Sequence, residues 1–408
     1  MGIQIQLLNG FLSFVCGMCL FILPIEAIAE SDDVQQHHFL ASKAPLVLLS
    51  ANDAEIYSEF YKTHNRNPQD SITVIKLTPD KPPVTRTVYG TVHSSILGTP
   101  RMAITGNGRY GIVSNNPTTL AQLFGKEPLP KDPISLVSII DLESANLDVL
   151  DSVELIGGSS EAGSLSMVVA HSDGERFIVN TDIALHMFRV SNGSIIKISS
   201  TKTTAPITSF DISPDGGLLL GANNSGDGLN NIDLFEITDT AIKFHGKVAV
   251  PEKGPQPFQP FSARFSPSGD IAIVLNGGGN PYTGSLSSVL VIDMKANPPR
   301  IHDSVPDVGD GLENVAFHPA EHMAVIACLD DHLAVIDLKS DKPRLLYHID
   351  SAGLPEGLEF SPDGSQLFVG LTGKSHFAIY EVDGYKLTKN PITLQTGHHP
   401  IAMAIWGK

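Results

Sequence analysis

The pentapeptide His318-Pro-Ala-Glu-His322 matches the H-x-x-E-H spacing of a zinc site. Two imidazoles four residues apart share one metal only where a helix brings both to the same face. Proline at the second position and β-rich flanks instead describe a bend between strands, so no metal site is expected. Gly106-Asn-Gly-Arg-Tyr-Gly111 matches G-x-G-x-x-G by letter. A dinucleotide site needs a strand before that motif and a helix after it, whereas a short β-rich run follows here. No G-x-S-x-G, H-E-x-x-H or C-x-x-C-H occurs, and no cofactor is expected. Cys328 lies in an apolar run with no motif around it, the setting of an inert buried thiol. Asn223-Asn-Ser-Gly-Asp-Gly-Leu-Asn-Asn231 is rich in oxygen donors for Ca²⁺ but lacks the full spacing of a calcium loop. A flexible turn is the favoured reading there.

The elements that must position any site are set by repetition. A turn signature recurs as Thr105-Gly-Asn-Gly108, His171-Ser-Asp-Gly174, Ser213-Pro-Asp-Gly216, Ser266-Pro-Ser-Gly269, His318-Pro-Ala-Glu321 and Ser361-Pro-Asp-Gly364. Proline presets φ for such a turn and the last glycine accepts a positive φ. Each turn joins an alternating strand to a short apolar one, such as Tyr110-Gly-Ile-Val-Ser or Ile271-Ala-Ile-Val-Leu. A third strand has seven copies: Thr73–Leu77, Ser138–Leu142, His186–Val190, Asp233–Ile237, Leu290–Met294, Ala334–Leu338 and Ala378–Val382. A more polar fourth strand follows, as in Arg344-Leu-Leu-Tyr-His348. Seven units of four antiparallel strands, without helical periodicity, predict an all-β, seven-bladed β-propeller over residues 44–408. The first unit begins at its second strand, Pro45-Leu-Val-Leu-Leu-Ser50. The chain ends on a first-strand pattern, His399-Pro-Ile-Ala-Met-Ala-Ile-Trp406. The C-terminal strand is therefore expected to close blade one and to remove the two free sheet edges.

With its Ser-Pro-Asp-Gly turns and Val-Ile-Asp third strands, the chain resembles the YVTN-type propellers, a superfamily that also contains the seven-bladed lactonases. The resemblance spans nearly all of residues 44–408 and rests on turn and core residues, so it implies architecture and leaves activity open.

In a propeller the first strand of each blade lines the central channel, and its side chains alternate. Met102, Phe210, Ala263, Val315 and Leu358 fall in the apolar set. The other set predicts that Arg101, Asp211, Arg264, Asn314 and Glu359 converge on the axis, with Glu356, His398 and His399 near the mouth. Opposed charges from separate strands around one funnel form a polar ligand site, or else satisfy one another in a wet channel. Two functions follow. The first is a scaffold binding a small molecule or protein at the channel mouth and on its long loops, which include 115–133 and 276–282. The second is implied by the resemblance: a lactonase-like hydrolase opening a cyclic ester between arginine, histidine and carboxylate. No lactonase site motif matches residue by residue, so catalytic residues are left unassigned.

The N-terminal residues stand apart. Phe11–Leu23 is apolar, followed by Pro24 and Ala27-Ile-Ala29, the pattern of a signal peptide cleaved after residue 29. Residues 30–43 read as an extension. Cys16 and Cys19 leave with the signal, so Cys328 has no disulfide partner within the mature chain. No later run is long enough to span a membrane, and a periplasmic or secreted location is expected. A formal charge of −17 over 408 residues repels nucleic acid and anionic lipid.

Overall fold

The computed structural model describes residues 42, 44–54, 69–90, 102–115, 134–156, 167–223, 231–248, 259–276, 287–339 and 342–407. The signal segment, most of the N-terminal extension, Arg101 and the interiors of the three long insertions lie outside the described residues.

Seven antiparallel sheets follow one another along the chain, and all but the first pair their four strands in sequence order from the inside outwards. Blade seven adds a short strand, Leu394–Gln395, beside its third. In blade one the innermost strand is the C-terminal Pro400–Gly407. It pairs with Leu46–Asn52 from Leu46 opposite Gly407 to Asn52 opposite Pro400. The closure expected from the chain ends is therefore formed.

Second and third strands carry apolar residues at nearly every position because both faces are covered. Met323–Cys328 and Gln366–Thr372 are buried throughout. The core divides into seven clusters, one for each space between neighbouring blades. Fourth strands such as Val149–Ile156 are largely exposed, which accounts for their polar composition.

The first-to-second-strand turns gather at one end of the ring and lock into one another. Within a turn, Asp215 accepts from the Ser213 hydroxyl at 2.6 Å and from Gly217 N–H at 3.0 Å, while Gly216 sits at φ +78°. Between blades the contact falls on the turn glycine of the next blade. The Trp406 indole of blade one lies over Gly108 and donates to the Gly106 carbonyl at 2.9 Å. Gly106 N–H donates to Gly174 O at 2.9 Å. His171 Nε2 meets Gly216 O at 3.0 Å, and His318 Nε2 meets Gly364 O at 3.0 Å. Pro214 abuts Gly269, and Pro362 abuts Gly407. Blade six is the exception: Glu321 holds the turn position at φ +57°, and its carboxylate accepts from Ser268 N–H of blade five. All seven neighbouring pairs are thus tied at this end, five of them turn to turn and the two flanking blade one through Trp406 and Gly407 of its closing strand. The glycines permit a close approach as well as a positive φ.

Candidate functional site

The channel is walled by the first strands, and a ring of innermost strands poses a physical problem. The inner edge of each strand has no sheet neighbour, so its backbone groups need other partners. Between blades four and five those partners are side chains. Ser209 Oγ accepts from Ala263 N–H at 3.1 Å, and Asp211 Oδ2 accepts from Phe265 N–H at 2.8 Å. Thr208 Oγ1 donates to Ala222 O at 3.1 Å and to Phe261 O at 3.4 Å.

Arg264 extends this pattern across a whole blade. Blade six carries Ala316 at the equivalent register position, too short a side chain to pair with the guanidinium. Arg264 donates to Val315 O at 3.0 Å and to both oxygens of Glu359, in blade seven, at 2.7 Å. Burial, the largest influence, works against the arginine's charge. The carboxylates of Glu359 and Asp211 outweigh it, so Arg264 is held above its ordinary pKa. The structure therefore brings Asp211, Arg264 and Glu359 together as a direct ion-pair and backbone-satisfying network. Asn314 stands apart from it: its Oδ1 accepts from the adjacent Val315 N–H at 2.9 Å.

Nearer the opposite end of the channel from the locked turns, first strands bulge. The register shifts between Ile207 and Ser209, Pro260 and Ser262, Leu312 and Asn314, and Pro355 and Leu358. A bulge re-aims the extra side chain. In blades six and seven these positions hold Glu313 and Glu356. No ion pair among the described residues involves either. Glu356 is 8% exposed. Burial pushes it up to about 7 despite the neighbouring Thr372 hydroxyl. Glu313 is pushed well above the usual carboxylate range, first by burial and then by the charge of Glu356. One carboxyl thus titrates near neutrality, and its neighbour is shifted in the same direction. As a pair they offer an acceptor and a donor without a built-in counter-charge.

The sequence named Glu356 as a mouth candidate, but not Glu313. An unbroken alternation counted along Leu312–Phe317 puts Glu313 with the apolar set, and only the bulge frees it. His399 lies near the mouth, but its ring has a local task. Its Nδ1 accepts from Gly373 N–H at 2.9 Å, and burial, then His398, pulls it down to about 3. His398 Nδ1 meets Ser375 Oγ at 2.9 Å. The letter motifs resolve as turn chemistry. His318 and His322 direct their Nε2 atoms to the separate carbonyls of Gly364 and Gly384, at 3.0 and 2.9 Å. Gly106–Gly111 is a turn running into the strand Tyr110–Asn115.

A second feature escaped the periodicity: asparagine ends the second strand in blades one to five, at Asn52, Asn115, Asn180, Asn223 and Asn276. Asn180 and Asn276 fasten incoming chain, accepting from Met167 N–H at 2.7 Å and Gln259 N–H at 2.6 Å. The residue just beyond each quoted apolar run was the available signal.

No family model matches the chain, and no curated protein sequence does. Solved structures match over most of its length. The periplasmic gluconolactonase PpgL of Pseudomonas aeruginosa is 15% identical, with a TM-score of 0.61 over 89% of this chain and 99% of its own. A 6-phosphogluconolactonase candidate from Bacteroides fragilis is 13% identical, with a TM-score of 0.61 over 89% and 98%. Another from Bacteroides uniformis is 12% identical, with a TM-score of 0.63 over 89% and 100%. Identities this low speak for the fold alone: the chain is a seven-bladed β-propeller with the architecture of the lactonase-like propellers.

Proposed function

We propose that this chain is a ligand-binding propeller whose small-molecule site is the channel mouth around Glu313 and Glu356. The observation that carries the reading is a pair of largely buried carboxyl groups, held on bulges in neighbouring blades, with no ion pair to either among the described residues. Burying such groups is costly unless something pairs with them, and a ligand is the natural source of that pairing. A neutral, hydroxyl-rich compound suits a protonated carboxyl beside an ionised one, and a cationic compound suits both when ionised. An anionic compound is disfavoured by the two carboxyls, and among the described residues Arg264 is already committed to Glu359. Export to the periplasm or medium, read from residues 1–29, would give the site access to such solutes. Calorimetric titration of the purified protein with sugar lactones, polyols and amines tests the reading. Binding that weakens at least tenfold in Glu356→Gln supports it, and binding unchanged in both Glu356→Gln and Glu313→Gln refutes it.

A second reading is favoured by two neighbouring carboxyls that are both shifted upward, one of them to about 7: opening of a neutral sugar lactone. Glu356 would take a proton from water as that water's oxygen bonds to the ester carbon. Protonated Glu313 would donate a hydrogen bond to the carbonyl oxygen as charge develops there. The ring C–O bond then breaks, the leaving oxygen takes up a proton, and a hydroxy acid is released. The resemblance to gluconolactonase structures fits this chemistry. Proton release in a pH-stat, lost by about a hundredfold or more in Glu356→Gln, would establish it. Tight lactone binding without proton release would leave the binding reading alone.

A further inference from the structure

Blade four carries a second polar site, on a different blade from the channel carboxyls and built around oxygens without a hydrogen-bond partner. Asn223 ends the second strand, Leu218–Asn223, and Asp233 lies in the third, Asn231–Ile237. Both residues are 2% exposed. Asn223 Nδ2 donates to Asp233 Oδ2 at 3.3 Å. That bond leaves Asn223 Oδ1 and Asp233 Oδ1 buried without a partner.

Blade five shows how the position is normally satisfied. Asn276 pairs with Pro260 as Asn223 pairs with Ile207. In blade five the preceding residue, Gln259, donates its N–H to Asn276 Oδ1 at 2.6 Å. In blade four the preceding residue is Pro206, which has no N–H to give. The acceptor has been kept and its donor removed. The same comparison isolates Asp233. Two residues into the third strand from the asparagine's partner, blade five places Leu290 and blade six Ala334, both fully buried. Blades one and two carry the hydroxyls of Thr73 and Ser138 there, and only blade four of these five places a carboxylate. Lys247 lies opposite Asp233 on the fourth strand and acts on its charge at a distance, but no ion pair among the described residues involves Asp233.

We propose that Asn223 and Asp233 hold a calcium ion through these two unpartnered oxygens, with solvent oxygens completing its shell. Two acceptors call for a donor or a cation between them. A water molecule would serve there without any carboxylate, whereas a buried charge calls for an opposite one. Amide and carboxylate oxygens are the hard donors that Ca²⁺ takes in a six- to eight-coordinate, irregular shell. Mg²⁺ demands octahedral geometry and dehydrates reluctantly, so it should bind more weakly.

The test is calorimetry and thermal unfolding of chelator-treated full-length protein with CaCl₂ and, separately, MgCl₂. The expected result is one Ca²⁺ per chain, a higher midpoint with Ca²⁺ than with Mg²⁺, and loss of both effects in Asp233→Leu. Leucine is the residue blade five carries at this place, so that variant should fold. Asp233→Asn provides a second variant that keeps the shape of the side chain, and it should weaken binding at least tenfold. Absence of Ca²⁺ binding in the wild type would overturn the proposal, as would equal binding in Asp233→Leu. Loss of the ion in Glu313→Gln with retention in Asp233→Leu would assign it to the channel and overturn it as well.

Discussion

Replacing Gly364 by alanine tests whether the turn ring holds the blades together. Gly364 lies at φ +71°, and a Cβ there would sit 2.4 Å from His318 Nε2 and 2.6 Å from Cε1. Gly384 supplies the control. It has φ +59° in an exposed hairpin turn, and nothing lies within 4 Å of a Cβ built on it. Both substitutions incur the left-handed backbone cost of about 1–2 kcal/mol. Only Gly364→Ala must also displace the imidazole by about 1 Å to reach ordinary contact, an overpacking cost of about 1–3 kcal/mol. That shift would break the 3.0 Å bond to Gly364 O and disturb ring contacts with Phe360 and His322, at 5.2 and 4.3 Å. The lost bond adds about 1 kcal/mol. The expected gap between the two variants is therefore about 2–4 kcal/mol. Urea unfolding followed by far-UV circular dichroism, with m-values compared, measures it. In a His318→Ala background the gap should shrink to below about 1 kcal/mol, as a double-mutant cycle requires for coupled residues. Equal losses in Gly364→Ala and Gly384→Ala would refute the role assigned to these glycines.

Other expectations follow from the channel and the closure. The folded pKa of Glu356, about 7, exceeds its ordinary value of 4.5, so the folded state binds more protons than the unfolded one between those values. Stability should fall as pH rises through that window, by on the order of 3 kcal/mol at most. Glu356→Gln should flatten the slope in urea titrations from pH 4.5 to 7.5, and an unchanged slope would contradict the assignment. Arg264→Ala removes the counter-charge of half-buried Glu359 and should cost about 2–4 kcal/mol, whereas Arg264→Ala with Glu359→Gln should cost less than the single change. Deleting residues 400–408 exposes the edge of Leu46–Asn52 and should leave an open, self-associating ring by size-exclusion chromatography. A monomer with wild-type unfolding would disprove closure by that strand.

The architecture was legible because each blade repeats the same physical task. Turn glycines, continuous apolar second strands and Val-Ile-Asp third strands recur at the spacing that four-stranded units impose, and the headless first unit matches the tail of the chain. The channel was legible to its lower half. Strict alternation assigned Asp211, Arg264 and Glu359 to one face, and all three meet there. It failed at the mouth, where bulges at Glu313 and Glu356 break the period of two. A bulge follows from ring curvature and hydrogen bonding with the second strand, and no residue type marks it. Arg101 belongs to the predicted set but lies outside the described residues. Motif spelling misled in the opposite direction: His318 and His322 match a metal pattern, yet each serves a carbonyl in blade seven.

The division of the channel into two halves bears on where function resides. A closed ring must satisfy the inner edge of every first strand, and the lower channel does so with its polar side chains. Ser209 and Asp211 accept backbone N–H groups of the next blade, and Arg264 spans to Val315 O and Glu359. Charge there is committed to holding the fold, so its presence says little about a ligand. At the mouth the balance reverses. Among the described residues Glu313 and Glu356 take no part in inner-edge satisfaction and have no ion-pair partner, and their burial raises both pKa values. The same argument applies to Asn223 and Asp233, whose unpaired oxygens sit where Pro206 has no N–H to give and where blades five and six carry apolar side chains. In a propeller the informative polar residues are those the backbone does not need. That criterion selects two sites in this chain, one at the channel mouth and one inside blade four.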